Sequence, residues 1–402
     1  MEFNFKKKIL GNGMTILFEK RKLPLVSVAF AVRNGGINES LSEKGISHFI
    51  EHMLYKGTKT RTSKKIAEEI EKNGGVLNGF TSELTTAYWC KIPSIYLKTA
   101  LDVLSDMIKN SVFEEKEFEK ERKVIFEEIK MRRDTPRVHV FDEVQKCLYD
   151  GTMAIDSIGT YEIMNSITQE KIINKFKQIY KPNNMILCVV GDADFNEIVD
   201  FVENNFNNEK GIVPTQKFNL KNDFKIEKRK GIDQANLVFA YHVPISGDKK
   251  HYAAEVLNIL MAGGMSSRLF SEIREKRNLA YSIHGGSDIN KDFAYSFVYA
   301  GITKENMDLV KELILKEFEK VSENLDEFEL AQVKKQIIGN YHLEMEDSQT
   351  QMMNLLFSEI DGDAKEFYEY EKNIMDVKLG DVKELAKKAK EKYSFFALIP
   401  EE

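Results

Sequence analysis

Residues 45–58 read G-I-S-H-F-I-E-H-M-L-Y-K-G-T, and residues 255–263 read E-V-L-N-I-L-M-A-G. Each stretch reads as a helix closed by glycine, Gly57 in the first case and Gly263 in the second. Each also follows a strand-like run rich in β-branched and aromatic residues, V-S-V-A-F-A-V (26–32) and A-N-L-V-F-A-Y-H-V (235–243). The chain therefore starts over in its second half, and helix and strand patterns continue afterwards in similar order. This predicts two structurally related halves, each α+β, from an old duplication. The expected boundary is F-N-N-E-K-G-I-V-P-T-Q-K-F (206–218), which is polar, holds Gly211 and Pro214, and has no helical or strand period. The expected domains are 1–205 and 219–402.

Further elements follow in the first half. A helix is expected at Ser63–Asn73 before Gly74 and Gly75, and one or two strands at 78–92. A helix is expected at 94–110, a longer one at 114–133 with Pro136 just beyond it, and a buried strand at 184–192.

The 402 residues exceed one ordinary core, and 42% hydrophobic with 30% charged residues suits a globular protein. The net charge of −6, with lysines interleaved among glutamates, gives no nucleic-acid footprint. No apolar run approaches a membrane span, and the N-terminal stretch lacks the pattern of a secretory signal. Cys90, Cys147 and Cys188 are odd in number and far apart, with no C-x-x-C spacing. Reduced cysteines and a cytoplasmic location are the expectation.

When the two opening stretches are aligned, Ala254 falls opposite His48, Leu257 opposite Glu51 and Asn258 opposite His52. The second half thus builds the same helix without these side chains, so the helix does not need them for its structure. On a helix, positions i, i+3 and i+4 share a face, so His48, Glu51 and His52 project together. Two imidazoles at i, i+4 reach one tetrahedral ion, and Glu51 beside them is placed to take a proton from water rather than to bind. A third ligand is expected on the helix at 115–131, where Glu127 and Glu128 compete. Glu127 shares its face with Lys120, Lys123 and Lys130. Glu128 shares its face with Glu121, Val124 and Met131, which reads as partly buried and favours Glu128. Glu121, two turns earlier, is expected to hydrogen-bond a ligand histidine or water.

H-F-I-E-H resembles the inverted zinc motif H-x-x-E-H of the inverzincin peptidases, and E-R-K-V-I-F-E-E-I (121–129) resembles the stretch that supplies their third ligand. Y-K-P-N-N-M-I-L-C-V-V-G-D (180–192) and G-G-M-S-S-R-L-F-S-E-I-R-E-K-R-N-L-A-Y-S (263–282) extend the likeness over both halves. The chain resembles bacterial relatives of the mitochondrial processing peptidase, within the pitrilysin and insulinase superfamily. The resemblance implies two domains, each a mostly antiparallel sheet with helices packed on one side, forming half of a clamshell. It implies a zinc endopeptidase with one Zn2+ per chain held by His48, His52 and Glu128, and with Glu51 as general base. It also implies a homodimer, or a heterodimer with an inactive relative. N-G-F-T (Asn78, Gly79, Phe80, Thr81) resembles the family's substrate-lining edge strand, with Gly79 where the family pattern has alanine. Arg274 and Tyr281 match an Arg and a Tyr that the family directs to substrate, provided that a helix turns into a strand near Asn278.

The alternative is a non-catalytic structural or partner subunit, in which such relatives carry degraded zinc motifs. S-ribosylhomocysteine lyases also have an H-x-x-E-H helix, but they are much shorter and use a cysteine ligand, and this chain has no cysteine near the motif.

Overall fold

The computed structural model describes residues 4–401. The chain forms two compact units, each assembled from three segments. The first comprises Met1–Lys130, Ile155–Lys217 and Glu344–Phe367, and the second Met131–Ala154, Phe218–Leu343 and Tyr368–Glu402. One crossing between them falls at Lys217/Phe218, inside the polar stretch singled out above. The two short inserted segments carry helices that the sequence halves exchange.

The first unit holds a six-stranded sheet of β1 (Phe5–Ile9), β2 (Thr15–Lys20), β3 (Leu25–Val32), β4 (Val76–Thr81), β5 (Thr86–Pro93) and β6 (Met185–Gly191), in the order β1-β2-β6-β3-β5-β4. The second unit holds β7 (Phe224–Arg229), β8 (Ala235–His242), β9 (Ala280–Ile289), β10 (Ala294–Ile302) and β11 (Ser394–Pro400), in the order β7-β11-β8-β10-β9. Strands β2 and β6 pair in parallel, as do β7 and β11, and every other pairing is antiparallel. The second sheet thus repeats β2-β6-β3-β5-β4 strand for strand. The fold is the expected α+β pair of related domains.

Strand β3 shows why a continuous apolar run was needed. Val26, Val28, Phe30 and Val32 point into a core built with α1 (Ile46–Leu54), α2 (Ser63–Glu71) and α3 (Leu97–Asn110). Ala29 and Ala31, on the other face, are equally buried. That face is covered by the exchanged helix Ser348–Asp361, where the Cys188 thiol lies 3.5 Å from the Met352 carbonyl and Gln351 Nε2 donates to Glu19 Oε2 at 2.7 Å. In the second unit, the corresponding face is covered by α5 (Pro136–Leu148), whose His139 sets its ring edge against Phe396. Most helices therefore lie on one face of each sheet, with a single exchanged helix on the other.

The long helix α4 (Glu115–Asp134) ends where predicted, and Pro136 then opens α5 within its first turn, where a missing N–H costs nothing. Cys90, Cys147 and Cys188 are free and buried. Among the described residues, no helix is long and apolar enough to cross a membrane.

Candidate metal centre

Helix α1 is held at its start by groups outside it. Gly45 has φ +93°, and a Cβ there would sit 2.5 Å from the Ile158 carbonyl oxygen, so only glycine fits. The Glu39 carboxylate accepts from the Gly45 N–H at 2.8 Å and the Ser47 N–H at 2.7 Å, satisfying first-turn donors that the helix leaves open. Asn34 Nδ2 donates to Ser47 Oγ at 2.8 Å. Ile46, Phe49, Ile50, Met53 and Leu54 fill the core. His48, Glu51 and His52 are left on the opposite side.

The rings of His48 and His52 are 4.6 Å apart. Helix α4 faces them with Glu121 and Glu128. Glu128 Oε2 lies 3.6 Å from His48 Nε2 and 3.6 Å from His52 Nε2. These separations are too long for hydrogen bonds. They match the roughly 3.4 Å edge expected between donors about 2.1 Å from one tetrahedral ion. All three donor atoms lie within 4.8 Å of one another, a cluster able to hold a metal ion. Two imidazoles and a carboxylate are also the donor set of catalytic zinc sites, so the residues present fit such an ion.

The stripe of α4 that carries Glu128 is less buried than the sequence suggested. Val124 is 42% and Met131 61% exposed, so the stripe is not half-buried at those positions; Phe118, Glu121 and Ile125 are the buried residues of α4. Glu128 nevertheless turns toward the histidines, and Glu127 is exposed.

Glu121 Oε2 is 3.1 Å from His52 Nδ1 and Oε1 is 2.7 Å from Lys56 Nζ. With Nδ1–H donating to Glu121, the Nε2 lone pair of His52 faces Glu128. Burial disfavours the His52 imidazolium, but the Glu121 hydrogen bond and the charges of Glu128 and Glu51 outweigh it, and its pKa lies above the ordinary histidine value. Burial likewise opposes the Glu121 carboxylate, and its bonds to His52 and Lys56 still hold the group below the usual range.

Glu51 Oε2 accepts from Thr81 Oγ1 at 2.7 Å. Burial pushes the Glu51 carboxyl above its ordinary value and Glu128 adds to the rise, against the Thr81 bond and His52. Thr81 ends β4, an edge strand paired only with β5 among the described strands. Gly79, on the same face, would place a Cβ 3.3 Å from Glu51 Oε1 and 2.6 Å from the Tyr55 hydroxyl. Asn78 Oδ1 accepts from the Gly79 N–H, and Phe80 turns to the other face, 5.7 Å from the Phe357 ring. Arg274 and Tyr281 belong to the second unit. Arg274 is exposed, its guanidinium 5.0 Å from the Phe270 ring. Asn278 adopts φ +54° between helix and strand, and Tyr281, the second residue of β9, is 62% exposed.

Sequence reasoning missed Glu39 and the bond from Thr81 to Glu51. The Thr81 bond had a signal: period-2 alternation puts Thr81 on the same face of β4 as Gly79. Glu39 had none, since its bonds depend on how the loop before α1 folds back.

The profile of the insulinase family, peptidase family M16, matches residues 15–160, and that of the peptidase M16 inactive domain matches residues 166–337. A protein of Rickettsia felis described as an uncharacterized zinc protease is 32% identical over 347 residues, covering 85% of this chain and 84% of its own. The chain belongs to the insulinase family, peptidase family M16. Its fold is that of a protease from Helicobacter pylori, with TM-score 0.90 and 22% identity, over 99% of this chain and 100% of that one. A chain of Complex III2 from Candida albicans, with Inz-5 bound, shares the fold at TM-score 0.86 and 18% identity, over 98% of this chain and 95% of that one.

Proposed function

We propose that the protein is a zinc-dependent endopeptidase that hydrolyses unfolded or extended peptides inside a closed chamber. Within its family we group it with the bacterial relatives of the processing peptidase β subunit. The observation that carries the reading is the approach of Glu128 to both histidines at one distance, with Glu51 beside them and bonded to Thr81.

His48, His52 and Glu128 would hold the ion. When bound, zinc supplies Lewis-acid polarisation of the scissile carbonyl and lowers the pKa of water. Glu121 fixes the His52 tautomer and orients its ring. Glu51 takes a proton from the attacking water onto its carboxylate and gives it to the leaving amine. The bond from Thr81 Oγ1 to Oε2 holds that carboxylate in place. Asn78, Gly79, Phe80 and Thr81 offer an open strand edge to which an extended peptide adds by backbone hydrogen bonds. Tyr281 donates to the oxyanion and Arg274 holds a substrate carbonyl. We further propose a cytoplasmic homodimer, with a heterodimer containing an inactive relative as the alternative assembly.

A second reading is a non-catalytic subunit, since one fold can carry unrelated functions and a chain of Complex III2 shares this one. The complete His48, Glu51, His52 and Glu128 set argues for chemistry. Glu51→Gln is the discriminating variant. It should lose about 100-fold or more in peptide cleavage, while metal analysis finds as much zinc as in the wild type. Cleavage at the wild-type rate would remove Glu51 as the base.

A further inference from the structure

The first unit contains a cavity of about 640 Å³ that the peptidase reading does not use. It is bounded by the C-terminal end of α3, helix Gln169–Ile179, the start of β6 and the chain after Asn205. Its volume is that of a small-molecule site.

Its floor is apolar and largely aromatic, with Ile108, Phe113, Phe176, Tyr180, Met185 and Phe206 all buried. The rim is basic: Lys59, Lys109, Lys177 and Lys181 stand against one carboxylate, Glu209. This inverts the sign of a chain whose net charge is −6. Glu209 pairs with Lys181. Among the described residues, no carboxylate lies within ion-pair distance of Lys59, Lys109 or Lys177. Lys109 Nζ donates to the Asn205 carbonyl at 2.9 Å and lies 5.0 Å from the Phe206 ring centroid. Although the side chain is exposed, partial desolvation of its ammonium pulls its pKa below the ordinary lysine value, against the charges of Asp106 and Asp102. An anion at the rim would offset that cost.

The walls are fixed in advance. The Tyr180 hydroxyl is bonded to the Tyr88 hydroxyl at 2.7 Å, so its ring cannot swing out of the wall. Phe176 packs against both Tyr180 and Phe113, with centroids 4.6 and 4.9 Å apart. Phe113 has φ +50°, a conformation that a bulky side chain rarely adopts. Gln169 Nε2 holds it there through the Phe113 carbonyl at 2.6 Å. A strained aromatic residue of the first unit's core thus forms part of the cavity wall, and such strain gathers at functional sites, ligand clamps among them.

We propose that this cavity binds a small organic anion, with its charged head between Lys59, Lys109 and Lys177 and a planar apolar body on the floor of Phe113, Phe176 and Tyr180. Lysines suit a compact carboxylate, sulfonate or phosphate head, and the aromatic floor suits a ring. The inference does not depend on the peptidase reading, since it uses none of the metal-site residues.

The test uses the whole chain and the fluorescence of 8-anilinonaphthalene-1-sulfonate, an aromatic anion, with the uncharged N-phenyl-1-naphthylamine as control. The variants are Lys109→Glu with Lys177→Glu, both at exposed positions, and separately Phe113→Ala. The wild type should bind the sulfonate at one saturable site. The lysine pair variant should bind it about tenfold or more weakly while binding the neutral amine unchanged. Phe113→Ala should weaken both probes. Displacement of the sulfonate by adenosine monophosphate would assign a nucleotide as the anion's source, and displacement by laurate an amphiphile. Equal sulfonate affinity in the wild type and the lysine pair variant would overturn the proposal.

Discussion

At the residue scale, the choice between Glu127 and Glu128 is the sharpest. Both lie on one helix, one residue apart, yet Glu128 Oε2 sits 3.6 Å from each imidazole and Glu127 faces solvent. Glu128→Gln should lower zinc retention after dialysis, while Glu127→Gln retains zinc as the wild type does. Equal loss from both would remove Glu128 as a ligand. His48, Glu51 and His52 were legible in the sequence because helical spacing alone puts them on one face, and because the aligned helix at 254–258 manages without them. Glu128 was legible as a choice between two helical faces, but not for the reason first given, since Val124 and Met131 prove exposed. What aims it is the position of α4 opposite α1, and no local pattern encodes that.

At the scale of the element, α1 is the working part, and its entry is set from outside the helix. Glu39 caps it through Gly45 and Ser47. Burial pushes the Glu39 carboxyl up to about 7, against the opposing charge of Lys44 and its own hydrogen bonds. Its folded pKa thus stands above the ordinary carboxylate value. Between about pH 4.5 and 7 the folded chain binds this proton and the unfolded chain releases it. Stability from this group is therefore complete below that window and falls as pH rises through it, by at most about 1.4 kcal/mol per pH unit. Thermal melts from pH 5 to 8 should show this fall in the wild type and a flatter profile in Glu39→Gln. An identical profile in the two proteins would deny the assignment. Helix α1 and strands β3 and β6 were plain from periodicity and β-branched runs. The capping loop was not, because the five residues between Glu39 and Gly45 carry no periodic signal.

At the scale of the molecule, the duplication was readable from repeated strand and helix patterns, and the sheets carry it strand for strand. The exchange of helices was not readable. An amphipathic helix states that it has a buried face, not which sheet receives it. Helix α5 packs on the second unit's sheet although it precedes the linker, and helix Ser348–Asp361 packs on the first unit's sheet although it follows it. Cutting the chain at 217/218 should therefore give two fragments that are insoluble when expressed singly. Together they should form a soluble complex, seen as one peak on gel filtration with native circular dichroism. Two well-folded single fragments would contradict the exchange. Metal-dependent peptide cleavage by this chain is the central expectation. The most direct measurement is digestion of a pool of unfolded peptides by the purified protein, read by mass spectrometry, before chelation, after chelation and after zinc is restored. Cleavage that stops with the chelator and returns with zinc is the predicted result. Cleavage unchanged by chelator, with zinc verifiably removed, would contradict it.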